Sequence, residues 1–513
     1  MAFVASVYPS AFLDASRSSR TSDQRSLLRK KPQNKRASVP HLYSDRSTPS
    51  MVAAPLRAPE STTKTPAETF DVIVIGGGPA GLSLASGLGT RGVKVLCADV
   101  HLDRSWPNNY GTWVDDLEPL GLADCVSHIW EKTAAFVRAD GKKSTLERTY
   151  ARVDRHAMKS RFLDRCNESG NVTLVHAAAS EVDTASSPTY SFVSLEPVHT
   201  DQKESVDHET KTFAGRVIVD ATGHSLKFVQ FNEGKTPGFQ AAYGIECIVS
   251  EKGYPGFESD EMMLMDFRND HMQETVDDKR SSEEEPTFVY VMPLDEGSGR
   301  HVFFEETSLV ASPAMDFETL KTRLYKRLAH YGIQVESVLE EEHCLIPMGG
   351  EMPNLRQRVV AFGGAAALVH PATGYMIARA LELADEAAGI IANELREPRK
   401  ADTIAFKIWD RIWNEGRCHQ RDFFNFGGEY LQRINLKTTR DFFSAFFDLP
   451  KEQWAGFLSF RLMKPLERLQ FGLGVFIRTT NRVRTTIVPM AVLEGGLPLL
   501  MSILPVYKTD ADK

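Results

Sequence analysis

The chain has 513 residues, of which 42% are hydrophobic, and its mean hydropathy is −0.28. This length is enough for one large domain or two ordinary domains with sizeable cores. The net charge of −8 gives no indication of a nucleic-acid partner, and because none of the six cysteines forms a C-x-x-C pair we expect neither a metal site nor a disulfide framework.

Residues 1–65 differ in composition from the rest of the chain. They carry eleven Lys or Arg but only four Asp or Glu, which is a net charge of +7, and the first fifty residues include eleven serines. A Ser- and Arg-rich, acid-poor N-terminus is typical of an organelle transit peptide. We therefore expect removal before or near Glu68, with a disordered leader as the alternative.

A strand and a glycine-rich loop follow the leader. Residues 71–75, Asp-Val-Ile-Val-Ile, are mostly apolar and β-branched, as in a buried parallel strand. Gly76, Gly78 and Gly81 then fit the spacing G-x-G-x-x-G and precede a helix of small and apolar residues. Such glycines permit a tight turn, close approach of a pyrophosphate, and close packing of the helix on the strand. The N-terminus of that helix would face the phosphates.

The next strand supplies an acid at the spacing of a dinucleotide site. Residues 93–98 are predicted as a strand that ends in Asp99, about 20 residues after the glycines. A carboxylate there would accept a hydrogen bond from a ribose hydroxyl, which favours FAD or NAD over NADP. A glycine-rich turn without a ligand is the alternative, and it leaves Asp99 unexplained. Arg155, before a predicted helix over 158–166, could pair with the pyrophosphate or lie on the surface.

Two later segments are typical of flavoproteins with two dinucleotide-binding domains. Residues 216–223 read as a strand followed by Ala-Thr-Gly, where the chain would return beside the first strand. Residues 358–376 contain Gly364 and Gly374 and precede a helix predicted over 375–393. In such flavoproteins the matching segment closes over the ribityl chain and pyrophosphate, and its helix N-terminus points at the flavin ring.

Alternating sequences from 239 to 304 predict an antiparallel sheet that would face the substrate. The acidic and polar residues 274–285 are expected to form an exposed loop. Glu305 and Glu306 follow a run of large apolar residues. Since neighbours on a strand point to opposite faces, one of them could face an apolar cavity, where desolvation would raise its pKa and keep it protonated. Two solvated acids at a strand end are the alternative.

The region 401–513 is predicted to be helical and rich in aromatic residues. Phe442 and Phe446 lie four residues apart, a spacing typical of a helix-packing core. The apolar tail 496–505 is far shorter than the roughly 20 residues that span a bilayer. We expect it to enter one leaflet or to pack on the protein body.

These elements predict an α/β fold: an FAD-binding Rossmann-type flavoprotein of the two-dinucleotide-binding-domain kind, with an antiparallel β substrate domain and a helical C-terminal region. The expected division places the leader at 1–65, a discontinuous FAD-binding domain at 66–238 and 345–400, the substrate domain at 239–344, and the helical aromatic-rich region at 401–513.

Six motifs between about Asp71 and Leu462 resemble those of the plant- and algal-type lycopene cyclases. They are the glycine loop 76–81, Trp-Pro-Asn-Asn-Tyr-Gly-Thr-Trp-Val-Asp at 106–115, Met-Asp-Phe-Arg at 265–268, Phe-Glu-Glu-Thr at 304–307, Ile-Pro-Met-Gly-Gly at 346–350, and Val-His-Pro-Ala-Thr-Gly-Tyr at 369–375. Several of these motifs are long and occur in the same order, so a chance agreement is remote.

The resemblance implies a carotenoid-biosynthesis enzyme that binds FAD, uses it in the reduced state with NADPH as reductant, and cyclises the ψ ends of lycopene with no net redox change. It further implies a plastid enzyme at a membrane surface, with other carotenoid-pathway enzymes as potential partners. The residue that the family implicates in catalysis falls on Glu305, and Glu306 is the second candidate. Protonation of a terminal double bond would give a tertiary carbocation, ring closure would follow, and proton loss would end the reaction.

The product is less sharply defined by the resemblance than the reaction. Residues 106–107, 348, 375–379 and 440–448 are similar to the β-cyclase branch, whereas 303–304 and 361–363 are closer to the ε branch. The β features are more numerous, so we expect β rings. The alternatives are an ε-cyclase, a neoxanthin or capsanthin synthase, an FAD-dependent monooxygenase or polyene reductase, and a membrane-surface scaffold with a vestigial flavin site.

Overall fold

The computed structural model describes residues 66–138, 140–198, 209–295 and 300–504, so the predicted leader at 1–65 lies outside the described residues. Its strands are β1 (Glu68–Ile75), β2 (Val95–Asp99), β3 (Gly111–Trp113), β4 (Val126–Trp130), β5 (Lys132–Phe136), β6 (Ser144–Leu146), β7 (Tyr150–Val153), β8 (Val172–Asp183), β9 (Ser191–Pro197), β10 (Lys211–Asp220), β11 (Gly238–Val249), β12 (Glu261–Asp266), β13 (Thr287–Pro293), β14 (His301–Ser308), β15 (Val335–Met348) and β16 (Val359–Ala361). Its α-helices are α1 (Pro79–Gly89), α2 (Val114–Leu117), α3 (Arg155–Ser169), α4 (Val276–Glu284), α5 (Phe317–His330), α6 (Ile377–Leu395), α7 (Ala401–Ile412), α8 (Glu415–Leu431), α9 (Leu436–Phe447), α10 (Lys451–Leu458), α11 (Pro465–Arg478), α12 (Asn481–Met490) and α13 (Gly496–Ile503).

The first sheet is built around β1, whose inner residues are fully buried. β1 pairs in parallel with β2 on one side and with β10 on the other. β10 continues the parallel ladder to β16, and β2 continues it to β8. α1 packs against α6 and α3. The predicted strand, helix and second strand around the glycine loop are therefore confirmed, as is the return of the chain beside the first strand.

The second sheet has the strand order β15-β11-β14-β13-β12-β5-β6. The pairs formed by β11 to β15 are antiparallel, which confirms the predicted antiparallel sheet. β5 joins β12 in parallel, so the segment 132–146 contributes two strands to this sheet although it precedes it by about 90 residues. α5 covers one face of the sheet, and the large hydrophobic core lies against the other.

The prediction of an exposed loop at 274–285 is wrong, because this segment forms α4. The Thr275 side chain accepts a hydrogen bond from the backbone N–H of Asp278 at 3.0 Å and so caps the helix. Asp277 and Asp278 lie in the first turn, where negative charge is favourable. Acidity at the helix start and the cap thus stabilise a helix that has only one buried side chain, Ser282.

The aromatic residues of the C-terminal helices pack against one another, as their spacing indicates. Phe442 and Phe443 contact Phe446, with ring centroids 6.5 and 6.2 Å apart. The rings of Phe457 and Phe471 stack at 4.7 Å and so join α10 to α11. These contacts form a continuous aromatic core beside the second sheet.

The apolar tail forms the short helix α13 and lies at the end of a longer apolar segment. α12, a π-helical turn and α13 follow one another without a gap over Asn481–Ile503, a 23-residue segment with a mean hydropathy of 1.6 in its most apolar window. By length and composition alone this segment could cross a membrane. Its C-terminal end is fixed to the protein body, because the buried Arg468 donates a hydrogen bond to the carbonyl oxygen of Ser502 at 2.7 Å.

Candidate active site

Four residues of the second sheet lie abreast on adjacent strands. Gly244 of β11 is in register with Glu342 of β15 on one side and with Glu305 of β14 on the other. Tyr290 lies on β13, the strand beyond β14, and is also in register with Glu305. Residues directly opposite one another in an antiparallel pair share a face, so the two carboxyls and the phenol lie on the same side of the sheet.

Glu305 is buried, with 1% of its surface exposed. The hydroxyl of Thr307 donates a hydrogen bond to its Oε1 at 2.8 Å. Burial, with the nearby Glu342 adding to it, raises the pKa of Glu305 to about 8. A carboxyl with that pKa is largely protonated at neutral pH, as a general acid must be.

Glu342 is the second buried carboxyl on this face. Its Oε1 accepts hydrogen bonds from the backbone N–H of Asn109 at 3.1 Å and from the thiol of Cys344 at 2.9 Å. Burial raises the pKa of Glu342 to about 7. Sequence reasoning missed this residue, because nothing in the run of three glutamates at 340–342 marks the one that the strand pairing buries.

Glu306 lies on the opposite face of β14 and is part of an ion pair. Both of its carboxylate oxygens accept hydrogen bonds from Arg327 of α5, each at 2.8 Å, and Oε1 also accepts one from the Thr287 hydroxyl at 2.6 Å. Burial alone would raise its pKa, but the Arg327 guanidinium holds the pKa of Glu306 below its usual value. The structure therefore separates the two predicted acids and gives them different environments.

Three tyrosines lie near Glu305. Tyr150 and Tyr290 meet edge to face with their ring centroids 6.2 Å apart, and Tyr150 also interacts with Tyr375. Burial raises the pKa of all three well above its usual value, so they are neutral phenols. A Cβ atom at Gly111 would lie 2.7 Å from the Tyr150 hydroxyl, so glycine is needed where the phenols converge.

The glycine loop has the shape that a pyrophosphate requires. A side chain at Gly81 would overlap the carbonyl oxygen of Gly76, and one at Gly76 would overlap that of Ala221, so both positions are tightly packed. A Cβ at Gly78, by contrast, would meet no atom within 4 Å. α1 begins directly after Gly78 with no side-chain cap, so its first N–H groups face the same open space.

The predicted ribose-binding acid closes this loop from the other strand. The carboxylate of Asp99 accepts hydrogen bonds from the backbone N–H groups of Gly77 and His101, both at 2.6 Å. These bonds fix the carboxylate beside the glycines at the end of β2. The open loop, the uncapped helix and the acid together fit the pyrophosphate and ribose of FAD.

The second glycine-rich segment, 358–376, lies against the Ala-Thr-Gly turn that follows β10 of the first sheet. A Cβ at Gly364 would lie 2.9 Å from His224 and 3.2 Å from Gly223, directly after the Ala-Thr-Gly turn. Gly374 has φ of +72°, and a Cβ there would lie 2.9 Å from Oε1 of Gln240 in β11. This segment therefore connects the predicted flavin site with the sheet that carries the two acids.

Arg155 binds protein groups in the structure. Its guanidinium donates to Oε2 of Glu340 at 2.5 Å and to the carbonyl oxygens of Trp106 and Pro107 at 3.3 and 3.0 Å. The indole N–H of Trp106 donates to the carbonyl oxygen of Gly77 at 2.9 Å. The loop that begins at Trp106 thus touches the glycine loop and, through Asn109, the buried carboxyl pair; pairing of Arg155 with a pyrophosphate stays a prediction.

The aromatic core adjoins Tyr375 and contains little free space. A cavity of about 20 Å³ lies among apolar side chains, enough for about one water molecule. Its lining includes Leu264, Met265, Tyr375, Phe443, Phe446 and Phe457.

Solved structures share this fold at low sequence identity. A geranylgeranyl bacteriochlorophyll reductase-like protein from Thermoplasma acidophilum superposes with a TM-score of 0.61 at 13% identity, over 82% of this chain and 99% of that one. A flavin-dependent monooxygenase solved with FAD and substrate gives a TM-score of 0.53 at 13% identity, over 82% and 73% of the two chains. The chain therefore has the predicted fold, that of the FAD-binding flavoproteins.

Sequence comparison defines the family. Residues 71–485 match the family model described as lycopene cyclase protein. The chloroplastic lycopene beta cyclase of Nicotiana tabacum is 39% identical over 433 residues, which is 84% of this chain and 81% of that protein. The neoxanthin synthase of Solanum lycopersicum is 38% identical over 437 residues, or 84% and 83% of the two chains. The chain belongs to the lycopene cyclase family.

Proposed function

We propose that this protein is a lycopene β-cyclase that converts the ψ ends of lycopene to β rings, giving γ-carotene and then β-carotene. The observation that carries the proposal is the burial of the Glu305 carboxyl, which raises its pKa, within the family's Phe-Glu-Glu-Thr motif. An alkene is a weak base, so a proton donor to it must be held as a neutral acid away from water. Burial of Glu305 provides both conditions.

Glu305 is the proposed acid for the first step. Its proton would pass to the terminal double bond of a ψ end, and the neighbouring double bond would then close the ring onto the tertiary cation. Loss of a proton from the ring carbon next to the chain gives the β ring, so the reaction ends with no change in mass. The phenol faces of Tyr150 and Tyr290 lie near Glu305 and would be favourable neighbours for a carbocation.

FAD is the proposed cofactor, with Gly76, Gly78, Gly81 and Asp99 as the pyrophosphate and ribose contacts and Gly364 and Gly374 on the opposite side. When bound in its reduced, anionic form, with NADPH as the reductant, it would supply negative charge close to a developing cation. The protein's part is to position the acid, exclude water and bury the polyene. Lycopene has no charged group, so its affinity must come from apolar burial, at about 25 cal/mol per Å².

The substrate class also predicts contact with a membrane, because lycopene dissolves in lipid. Large apolar side chains are exposed together on α11, α12, the π-helical turn and α13; they are Leu466, Leu473, Ile477, Val488, Val492, Leu493, Leu497 and Leu500. We call this surface the apolar face. Arg478 of α11 and Arg484 of α12 donate hydrogen bonds to backbone carbonyl oxygens and would attract anionic headgroups. We propose that the apolar face rests in one leaflet, as in a peripheral membrane protein.

A plastid location completes the proposal. The tobacco relative is named chloroplastic, and the Ser- and Arg-rich leader at 1–65 has the composition of a transit peptide. N-terminal sequencing of the protein from its source should give a start near residue 66. A mature N-terminus at Met1 would contradict the transit peptide.

The ring type is tested by expression in a bacterium that accumulates lycopene. We expect β-carotene, with γ-carotene as the one-ended intermediate, identified by retention time and absorption spectrum. ε-rings would keep the acid chemistry but would assign the chain to the other cyclase branch. Unchanged lycopene, in cells that contain the folded flavoprotein, would contradict the proposed function.

A further inference from the structure

Glu342 is a buried acid that has no role in the cyclisation steps proposed above. It lies on β15, two strands away from Glu305, and both are in register with Gly244 on the strand between them. Adjacent strands are about 4.8 Å apart. The two carboxyls therefore lie on the same face of the sheet, on either side of a residue that has no side chain.

The glycine is needed for this arrangement. A Cβ atom at Gly244 would lie 2.7 Å from the ring of Phe303 and 3.4 Å from Cγ of Glu305. The side chain of Glu305 thus occupies the space above Gly244 and extends toward β15. A larger residue at position 244 would displace Phe303 and separate the two acids.

We propose that Glu305 and Glu342 form a proton-sharing carboxyl pair across Gly244, in which Glu342 is a positioning residue that acts through Glu305. This proposal rests on the proposed function, since it concerns the acid of the cyclisation. In the reaction the O–H bond of Glu305 breaks as the alkene carbon gains the proton. The proton later released from the ring carbon returns to the pair, so the pair ends with the number of protons with which it began.

The electrostatics of the site agree with this geometry. Two carboxyls in a site of low dielectric cannot both ionise easily, so the pair retains about one proton around neutral pH. The pKa values of about 8 for Glu305 and about 7 for Glu342 give the same picture. The other titratable groups that influence the pair are Tyr150, Tyr290, Tyr375, Tyr110, Cys344, Arg155 and Glu340. Burial keeps the tyrosines and the thiol neutral, so the charged groups near the pair include Arg155, Glu340 and the Arg152–Glu246 ion pair.

The loop that begins at Trp106 holds Glu342 in place. The backbone N–H of Asn109 donates to Glu342, and the side-chain oxygen of Asn109 accepts a hydrogen bond from Arg152 at 2.7 Å. Arg152 is in turn paired with Glu246. A chain of hydrogen bonds and one ion pair therefore connects the loop, through Asn109 and Arg152, to Glu342 and to β11.

The first test is the pH dependence of cyclisation by the reduced holoenzyme with lycopene in liposomes. If Glu342 raises the pKa of Glu305, then Glu342→Gln should move the alkaline limb of the rate profile to lower pH by about 1 unit, the coupling at which two acids titrate as a pair. Glu342→Asp keeps the charge and should keep the limb close to that of the wild type. Glu341→Gln is the control, because Glu341 lies on the other face of β15 and pairs with Lys321 at 3.1 Å.

The second test does not require activity. Infrared difference spectra of the carboxyl C=O stretch, recorded across pH, report protonation of the two acids directly. Because the coupling is reciprocal, Glu305→Gln should lower the pH at which Glu342 titrates, and Glu342→Gln should do the same for Glu305. Unshifted titrations in both variants would overturn the carboxyl pair. Shifted titrations in a protein that cyclises nothing would support the pair and contradict the proposed function instead.

Discussion

Glu305 and Glu306 are consecutive residues of β14, yet one carboxyl is a buried acid with a raised pKa and the other is a buried carboxylate paired with an arginine. The alternation of side chains along a strand produces this difference. Glu305 faces the tyrosines and the large core, and Glu306 faces Arg327 of α5. Two neighbouring glutamates therefore have opposite consequences for activity and for stability.

Glu305→Gln should abolish cyclisation while leaving FAD binding intact. The amide keeps the shape of the side chain but has no proton to give to an alkene, and we expect the rate to fall by at least about 100-fold. Turnover of lycopene and flavin absorbance of the purified variant measure the two quantities. Glu341→Gln is the matched control, because Glu341 lies on the face of the sheet away from Glu305, and it should keep the wild-type rate. Full activity of Glu305→Gln would remove Glu305 as the acid.

Glu306→Gln should destabilise the protein, because it leaves the fully buried Arg327 without its charge partner. Breaking a buried ion pair from one side costs about 3–5 kcal/mol in the free energy of unfolding. The pKa of Glu306 is lowered in the folded state, so its stabilisation is present above the unfolded value of 4.5 and is lost as pH falls through the folded pKa. Denaturant unfolding as a function of pH should show the full difference from the wild type at pH 7, and this difference should shrink only as the pH falls below 4.5.

Glu305→Gln should have the opposite effect on stability. The folded state holds a proton on Glu305 up to a pH of about 8, whereas an unfolded glutamate loses it near 4.5. The free energy of unfolding therefore falls as pH rises through this window, and the variant escapes that loss. We expect its melting temperature to match that of the wild type near pH 4 and to exceed it increasingly toward pH 8. A variant that is less stable at pH 8 would contradict burial of a neutral Glu305.

Gly78→Ala should lower the affinity for FAD without unfolding the protein. Its Cβ meets no protein atom within 4 Å but would enter the space that the pyrophosphate needs. Flavin release measured by fluorescence, with circular dichroism as the folding check, tests this. Gly472→Ala in α11 also meets no atom within 4 Å and should retain the flavin fully. Equal flavin affinity in the two variants would place the pyrophosphate elsewhere.

Charges on the apolar face should weaken membrane binding. Leu493 is 80% exposed there, and together with Leu497 it offers apolar surface that a bilayer would cover. The double variant Leu493→Glu, Leu497→Glu should float less with anionic liposomes and turn over lycopene more slowly. Val276→Glu is the control, because Val276 is 83% exposed but lies on α4. An equal loss of flotation in the control would contradict a specific docking face.

The flavin-binding elements can be predicted from the sequence, because the motifs that indicate them are short and local. Gly76, Gly78 and Gly81 lie within six residues, and the strand that ends in Asp99 follows directly. The alternation rule also predicts that only one of Glu305 and Glu306 faces a cavity. Which one it is depends on where α5 packs, and short-range patterns do not report that.

The features that were missed depend on distant pairing or on helix continuity. Glu342 and Glu305 share a face of the sheet because both are in register with Gly244 of β11, which lies between their strands, although they are 37 positions apart in the chain. The sequence also does not show that the tail follows α12 and a π-helical turn without a gap, because Pro489 and the arginines of α12 interrupt the apolar pattern.

The most direct measurement is an anaerobic incubation of the purified protein with lycopene in liposomes, FAD, and NADPH or dithionite, followed by chromatography with mass detection. We expect a product with the mass of lycopene and the absorption spectrum of a β-ring carotenoid, formed only while the flavin is reduced. A product that has gained oxygen or hydrogen would contradict it, because the chain would then be a monooxygenase or a polyene reductase and Glu305 would have no alkene to protonate.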